Sequence, residues 1–282
     1  MQKLTLTTLL FMTASTLAMA AAPKAEMTEL NPNNPFYTPK KGKGILSVES
    51  VWERYRETDE TTSAYFDSRN AMIGEGMYGL TDKLSVVVKI SDIYYKETLS
   101  AFGTGRLAST PSVGVKYVDG VGMFKVGAEA SYGFDLFEGQ YEQSNDSLEL
   151  KLTAGVQEGP FTLAAFGQFL HTFDYREKGW TDHMKRGTAW NYGLTGQYQA
   201  TDTLSVDLGW THQFKAKQSY AGYTTDRWTN EMDTFKVGLT WRATDTFYVM
   251  PYVAYHKMTD SLKEKVGAKD MSSYGLKFAV TF

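Results

Sequence analysis

From Gly44 to Phe282 the sequence falls into segments of about ten to fourteen residues whose polarity alternates position by position. Successive side chains of a strand point to opposite faces, so this alternation requires a sheet with one apolar and one polar face. In the last segment Tyr274, Leu276, Phe278, Val280 and Phe282 oppose Ser273, Gly275, Lys277, Ala279 and Thr281. Elsewhere Leu204, Val206, Leu208 and Trp210 oppose Ser205, Asp207, Gly209 and Thr211, and Phe235, Val237, Leu239 and Trp241 oppose Thr234, Lys236, Gly238 and Thr240. Leu148, Leu150, Leu152 and Ala154 against Glu149, Lys151, Thr153 and Gly155 repeat the pattern. It runs without a boundary to the last residue.

The connections alternate in length. Tight turns recur at Thr81-Asp82-Lys83, Asp119-Gly120, Glu158-Gly159-Pro160, Thr201-Asp202-Thr203 and Thr244-Asp245-Thr246, each leading into an apolar strand start such as Leu84, Phe161, Leu204 or Phe247. Longer polar stretches lie at 57–66, 97–108, 135–146, 174–186, 216–228 and 259–270. Five short and six long connections join twelve strands, expected at 44–56, 68–80, 84–96, 109–118, 122–134, 147–157, 161–173, 187–200, 204–215, 229–242, 247–258 and 270–282. The related stretches LTDKLSVVV, ATDTLSVDL and ATDTFYVMP repeat the meander unit and do not indicate a solenoid.

Ahead of the strands, Lys3 precedes an uncharged stretch from Leu4 to Ala18, and Ala18-Met19-Ala20 forms a small-x-small cleavage site before Ala21. This reads as a secretory signal peptide over residues 1–20. Five Thr and one Ser between residues 5 and 16 weaken the competing reading of a helical anchor. Residues 21–43 carry Pro23, Pro32, Pro35 and Pro39 with Asn31, Asn33 and Asn34, which break helix and strand, so a short flexible periplasmic leader is expected there. After residue 20 no run of about 18 apolar residues occurs, so a membrane-spanning mature chain must be a barrel. The chain has no cysteine, which removes disulfides, Cys-ligated zinc and thiol catalysis together. A net charge of −3 with dispersed Lys and Arg gives no footprint for nucleic acid.

Two faces alone do not say which one is turned inward. Aromatic placement separates the choices. Tyr117, Phe124, Phe161, Tyr198, Trp241, Phe247 and Phe282 flank the short turns, and Trp52, Phe134, Phe169, Trp190, Trp210, Phe214 and Tyr255 lie near the long loops, both sets on the apolar face. Two such belts, an even strand count and both termini at the short-turn end describe an all-β transmembrane antiparallel up-and-down barrel over residues 44–282. A soluble sandwich or secreted barrel would have to fill the interior of a twelve-stranded closed sheet with aliphatic side chains.

On these residues the chain resembles the Gram-negative outer-membrane β-barrel class of porins and transporters. The alternating stretch ending in Phe282 resembles the signal read by the barrel-assembly machinery. The segment GLTDKLSVVVKI, Gly79 to Ile90, is similar to the strand-turn-strand unit of the transporter-like family associated with phenol meta-pathway operons, and no substrate is carried over from that likeness. The resemblance implies location in the outer membrane, with its lipids, the assembly machinery and periplasmic chaperones as partners.

Turning the polar face inward assigns Glu49, Glu53, Glu75, Glu129, Glu149 and Asp207 with Lys89, Lys116, Lys125, Lys151, Lys236 and Lys277 to the lumen, a nearly neutral lining. The expected function is a porin-like channel for passive diffusion of small hydrophilic or amphipathic solutes. No cofactor, metal or energy source is implied. A plugged scaffold barrel is the alternative, followed by an outer-membrane lipid hydrolase. For the hydrolase, His171 and His212 lie on the lipid-facing phase near the outer rim, but no Ser sits two residues away on the same strand. His183 stands beside Asp182 and Met184 without further ligand spacing, and Tyr141, Trp180, Tyr220, Tyr223 and Trp228 enrich the loops in aromatic surface.

Overall fold

The computed structural model describes residues 31–57, 68–96, 104–108, 111–134, 146–173, 175–176, 183–185, 188–215, 219–220, 223–224, 230–259 and 268–282. The signal peptide and the loop residues Tyr141, Trp180, Asp182 and Trp228 lie outside these, as do the side chains of His183, Met184, Tyr220 and Tyr223. The strands are β1 Gly44–Glu57, β2 Ser68–Gly79, β3 Leu84–Lys96, β4 Thr104–Ala108, β5 Ser112–Val121, β6 Phe124–Gly133, β7 Ser147–Glu158, β8 Phe161–Thr172, β9 Tyr175–Arg176, β10 His183–Lys185, β11 Ala189–Gln199, β12 Leu204–Lys215, β13 Ser219–Tyr220, β14 Tyr223–Thr224, β15 Asn230–Arg242, β16 Phe247–Met258 and β17 Ala268–Thr281.

Each long strand pairs antiparallel with its neighbours, and β1 pairs both β2 and β17, which closes the sheet. β4 and β5 follow one another along β3, from Lys96↔Thr104 to Leu84↔Tyr117, and together make one strand of the wall. The result is a closed barrel of twelve strands. The short pieces β9, β10, β13 and β14 form a separate four-stranded sheet drawn from two of the long connections.

The sequence pattern misplaces one turn. Asp119 and Gly120 remain in strand β5, paired with Val126 and Lys125, and the chain reverses at Gly122, which has φ 59°. A positive φ is accessible to glycine at no steric cost, so the reversal falls three residues beyond the Asp-Gly pair that resembles it. The stretch 97–108, expected as loop, also holds β4, and β17 begins at Ala268, two residues before the expected 270.

The wall is apolar outside and polar inside. Leu152 is 68 % and Leu46 60 % exposed, whereas Ser205 and Asp207 are 2 % and 9 % exposed. Such an exterior exceeds what a soluble protein shows to water but suits hydrocarbon contact. Among the short-turn aromatics Tyr117, Phe124, Phe161, Trp241 and Phe282 are exposed, while Tyr198 packs on Phe161 and Phe247 on Phe278. Toward the long loops Trp52, Trp190 and Tyr255 are exposed. The interior has an apolar collar at the short-turn end, formed by Ile45, Met77, Val87, Tyr248, Met250 and Ala279. Deeper in, the inward positions become charged.

Candidate functional site

The inward charges form two ladders. On one side Glu75 of β2 stands opposite Lys89 of β3, and the Lys89 ammonium donates to Glu129 Oε1 of β6 at 2.6 Å. Glu129 is in turn opposite Lys116 of β5 and Lys151 of β7, with Glu149 two residues along. Unlike charges thus face one another across the β2–β3, β5–β6 and β6–β7 pairs, where they attract, while Lys89 of β3 and Lys116 of β5 are like charges on adjacent strands, staggered along them. On the other side Glu49 of β1 faces Lys277 of β17 and accepts a hydrogen bond of 2.6 Å from the Tyr252 hydroxyl. The Lys236 ammonium sits 3.6 Å from the centre of the Tyr252 ring, a cation–π contact. Lys151 makes a looser one with Phe166, at 5.0 Å.

Tyr252 can cross β17 to reach Glu49 because Gly275 lies beneath it. A Cβ at Gly275 would overlap the phenol ring. The glycine is the reason a side chain of β16 meets one of β1 over an intervening strand.

Residues 31–43 do not trail from the barrel as a free leader. They enter the short-turn end and cross it as a strap. Gly42 and Lys43 hydrogen-bond with Gly79 at the end of β2, and the Asp82 carboxylate accepts from the Lys41 amide at 3.0 Å. Tyr37 then packs on the apolar collar, and Phe36, 2 % exposed, is buried with Val118 and Ala164. Beyond Phe36 the contacts become polar. Asn34 Nδ2 donates to Thr162 Oγ1 at 3.0 Å and Gln197 Oε1 at 2.9 Å. Asn33 Nδ2 donates to Asp207 Oδ2 at 3.0 Å, and Asn31 Nδ2 to Ser205 Oγ at 2.7 Å. Gln197 returns a hydrogen bond to Asn31 Oδ1 at 3.1 Å and also donates to Asp207, as does Thr240 at 2.7 Å.

Local chemistry explains the strap's shape. Asn31-Pro32-Asn33-Asn34 and Asn34-Pro35-Phe36-Tyr37 are consecutive turns, each closed by an amide-to-carbonyl bond of 3.0 Å between first and last residue. Proline fits the second position of such turns, and each leading Asn also accepts from the amide two residues on, at 2.9 Å. The turns project three carboxamides toward β8, β11 and β12. Between the strap and the turn loops lies an open cavity of about 880 Å³, lined by Phe36, Tyr37, Lys125, Gln157, Tyr248 and Phe282 among others. At its rim Lys83 is held above the ordinary lysine range by its hydrogen bond to Asp119, at 2.7 Å, and by that carboxylate's charge.

The wall superposes on solved structures of outer-membrane barrels. An outer membrane channel from Pseudomonas putida F1 matches with a TM-score of 0.72 at 14 % identity, over 90 % of this chain and 100 % of that chain. The chain has the fold of an outer-membrane β-barrel. The NanC porin matches this barrel with a TM-score of 0.54 at 8 % identity, over 83 % of this chain and 98 % of that chain. The translocator domain of the autotransporter NalP from Neisseria meningitidis gives 0.50 at 8 % identity, over 88 % and 91 %. No protein-family model matches the sequence, and no curated protein matches it.

Within this barrel the sequence-derived lumen residues are distributed unevenly. Glu49, Glu75, Lys89, Lys116, Glu129, Glu149, Lys151, Lys236 and Lys277 share the two ladders. Lys125 lines the mouth cavity, and Glu53 lies opposite Ser273 farther from the strap. Asp207 is drawn into the strap network. Phe282 closes against Gly44 through reciprocal backbone bonds of 2.8 and 3.0 Å. The strap itself is the element that sequence reasoning missed: its tandem Asn-Pro turns followed by Phe36-Tyr37 are plain in the sequence, but the wall residues they dock on are distant along the chain.

The histidines of the barrel divide by face. Outward, His171 contacts Thr188 Oγ1 at 3.4 Å, and His212 contacts Asp233 Oδ1 at 3.1 Å, an oxygen that also accepts from Trp210 Nε1. Neither has a serine hydroxyl at hydrogen-bond distance among the described residues. The Ser–His pair that does form, His256 Nε2 with Ser273 Oγ at 2.9 Å, is buried on the inner face, away from lipid.

Proposed function

We propose that this barrel is a channel through which small hydrophilic or amphipathic solutes diffuse passively across the outer membrane. The observation that carries this reading is the pair of charged ladders on the inner face. A barrel whose only task was to be a rigid body would gain more from an apolar filling than from desolvated charges. Lysine and glutamate mixed along the same stretches of wall suit a hydrated passage instead, lined by charge of both signs with little net excess. Ser85 Oγ, Asn191 Oδ1 and Thr195 Oγ1, buried and without a hydrogen-bond partner among the described residues, fit a wetted interior as well. The channel nature of the Pseudomonas putida F1 protein is in keeping with this reading. On this reading no cofactor takes part, and the signal peptide, periplasmic chaperones and the barrel-assembly machinery deliver the chain.

Single-channel recording of refolded residues 21–282 tests the proposal. Discrete conductance steps are expected, with a cation-to-anion permeability ratio that falls when Glu129→Gln removes a lumen carboxylate. A folded barrel that stays silent even after residues 31–39 are deleted would leave the second reading, a plugged scaffold. The strap across the short-turn end is the observation that favours it.

A further inference from the structure

The inner-wall residues that hold the strap are arranged as a binding site for something other than bulk water. We propose that Thr162, Gln197, Ser205, Asp207 and Thr240 form a site for neutral solutes bearing hydroxyl or carboxamide groups, and that Asn31, Asn33 and Asn34 are its resident occupants. The inference rests on the channel reading, since the occupant replaced is a solute on its way through.

The chemistry of the site selects the ligand class. Asp207 accepts from Gln197 and Thr240 of the wall, and Asn33 supplies a third donor. A ligand in that place must therefore donate. An anion would be repelled by the carboxylate. Gln197 both donates to Asn31 and accepts from Asn34, while the Thr162 and Ser205 hydroxyls accept from the strap and can also donate. A hydroxyl or carboxamide, which both donates and accepts, satisfies all of these positions; an apolar molecule satisfies none, and an ammonium, which only donates, leaves Gln197 Nε2 without the acceptor that Asn31 supplies. Next to them Val118 and Ala164, under Phe36, offer an apolar surface such as the C–H face of a sugar ring requires. The open cavity of about 880 Å³ at the short-turn mouth is lined by Phe36, Tyr37, Thr38 and Val118, so it meets the site at its apolar end.

The strap can give way because its polar contacts are side-chain hydrogen bonds that wall and strap both exchange for water on release. Solute and strap compete for one set of donors and acceptors.

The test is block of the ion current by maltotriose added on the short-turn side. The chain has no cysteine, so Asn34→Cys with Thr162→Cys, whose native side chains touch at 3.0 Å, can be oxidised to lock the strap without competing thiols. If the strap is absent from the site no more than a tenth of the time, freeing the site lowers the half-blocking concentration about tenfold or more. That is expected for Asn31→Ala/Asn33→Ala/Asn34→Ala, and adding Gln197→Ala to it should return the block to the native level or below. The oxidised cysteine pair should show no block and regain it on reduction, within a single preparation that controls for folding. A triple variant within twofold of the native protein, indifference to Gln197→Ala, or equal block of oxidised and reduced pairs overturns the site. Absence of conductance in every variant, the strap-deleted barrel included, overturns the channel reading instead.

Discussion

Phe36→Ala is expected to loosen the strap while leaving the barrel standing. The ring is 2 % exposed, seated on Val118 and Ala164, and its truncation removes the strap's main apolar anchor. Deleting a fully buried phenylalanine side chain costs about 3–5 kcal/mol, and here that cost falls on strap docking because the barrel strands keep their own pairing. At 1.36 kcal/mol per decade the population of released strap rises by roughly a hundred- to a few-thousand-fold, up to the point where release is complete. Thr162→Cys supplies the reporter: position 162 is 5 % exposed beneath Asn34, and no other thiol exists in the chain. When docking and release are fast relative to modification, the rate of maleimide labelling follows the open population. The Phe36→Ala protein should label faster by about two decades or more, with its heat-modifiable gel shift retained. A rise of less than tenfold would show that Phe36 does not anchor the strap and that the side-chain network holds it alone.

Three other outcomes follow from the wall. Leu152→Arg places a cation at mid-height of β7 on the outer face, and should lower the stability of the barrel in bilayers by about 2–4 kcal/mol in a urea titration. Gly275→Ala drives the Tyr252 ring off β17 and breaks its bond to Glu49; overpacking and the lost charge-assisted bond together predict a loss of about 2–4 kcal/mol, read in the same titration and reversed in part by Tyr252→Ala. Phe282→Ala removes a ring that is 58 % exposed to lipid, so the midpoint of the folded fraction should move by less than about 1 kcal/mol. The amount of heat-modifiable barrel reaching the outer membrane should fall severalfold, and an unchanged amount would remove Phe282 from the assembly signal.

The wall was legible in the sequence because its rule is local. Period-two alternation is visible within one segment, and positions it set on the polar face stand opposite one another in the paired strands, Glu49 with Lys277 and Glu75 with Lys89. Turn placement was legible only where the residue adopting positive φ was the conspicuous one. Asp119-Gly120 has the composition of a turn yet stays paired in β5, while Gly122 turns the chain. The strap was not legible because its partners are 128 to 174 residues away along the chain, and proline with asparagine looks the same in a free leader as in a docked one. The Glu49–Tyr252 bond, 203 residues apart, depends on what Gly275 lacks, which no pattern within either strand records.

The strap also has a place in time. It precedes β1 and so is synthesised before any strand of the wall, yet each carboxamide it presents needs β8, β11 or β12 already in position. Closing contacts over such separations is slow, because the loop entropy is lost before the contacts form. A segment made ahead of the wall is therefore among the last to settle, and a barrel whose wall has closed but whose strap is still outside is a distinct stage of assembly.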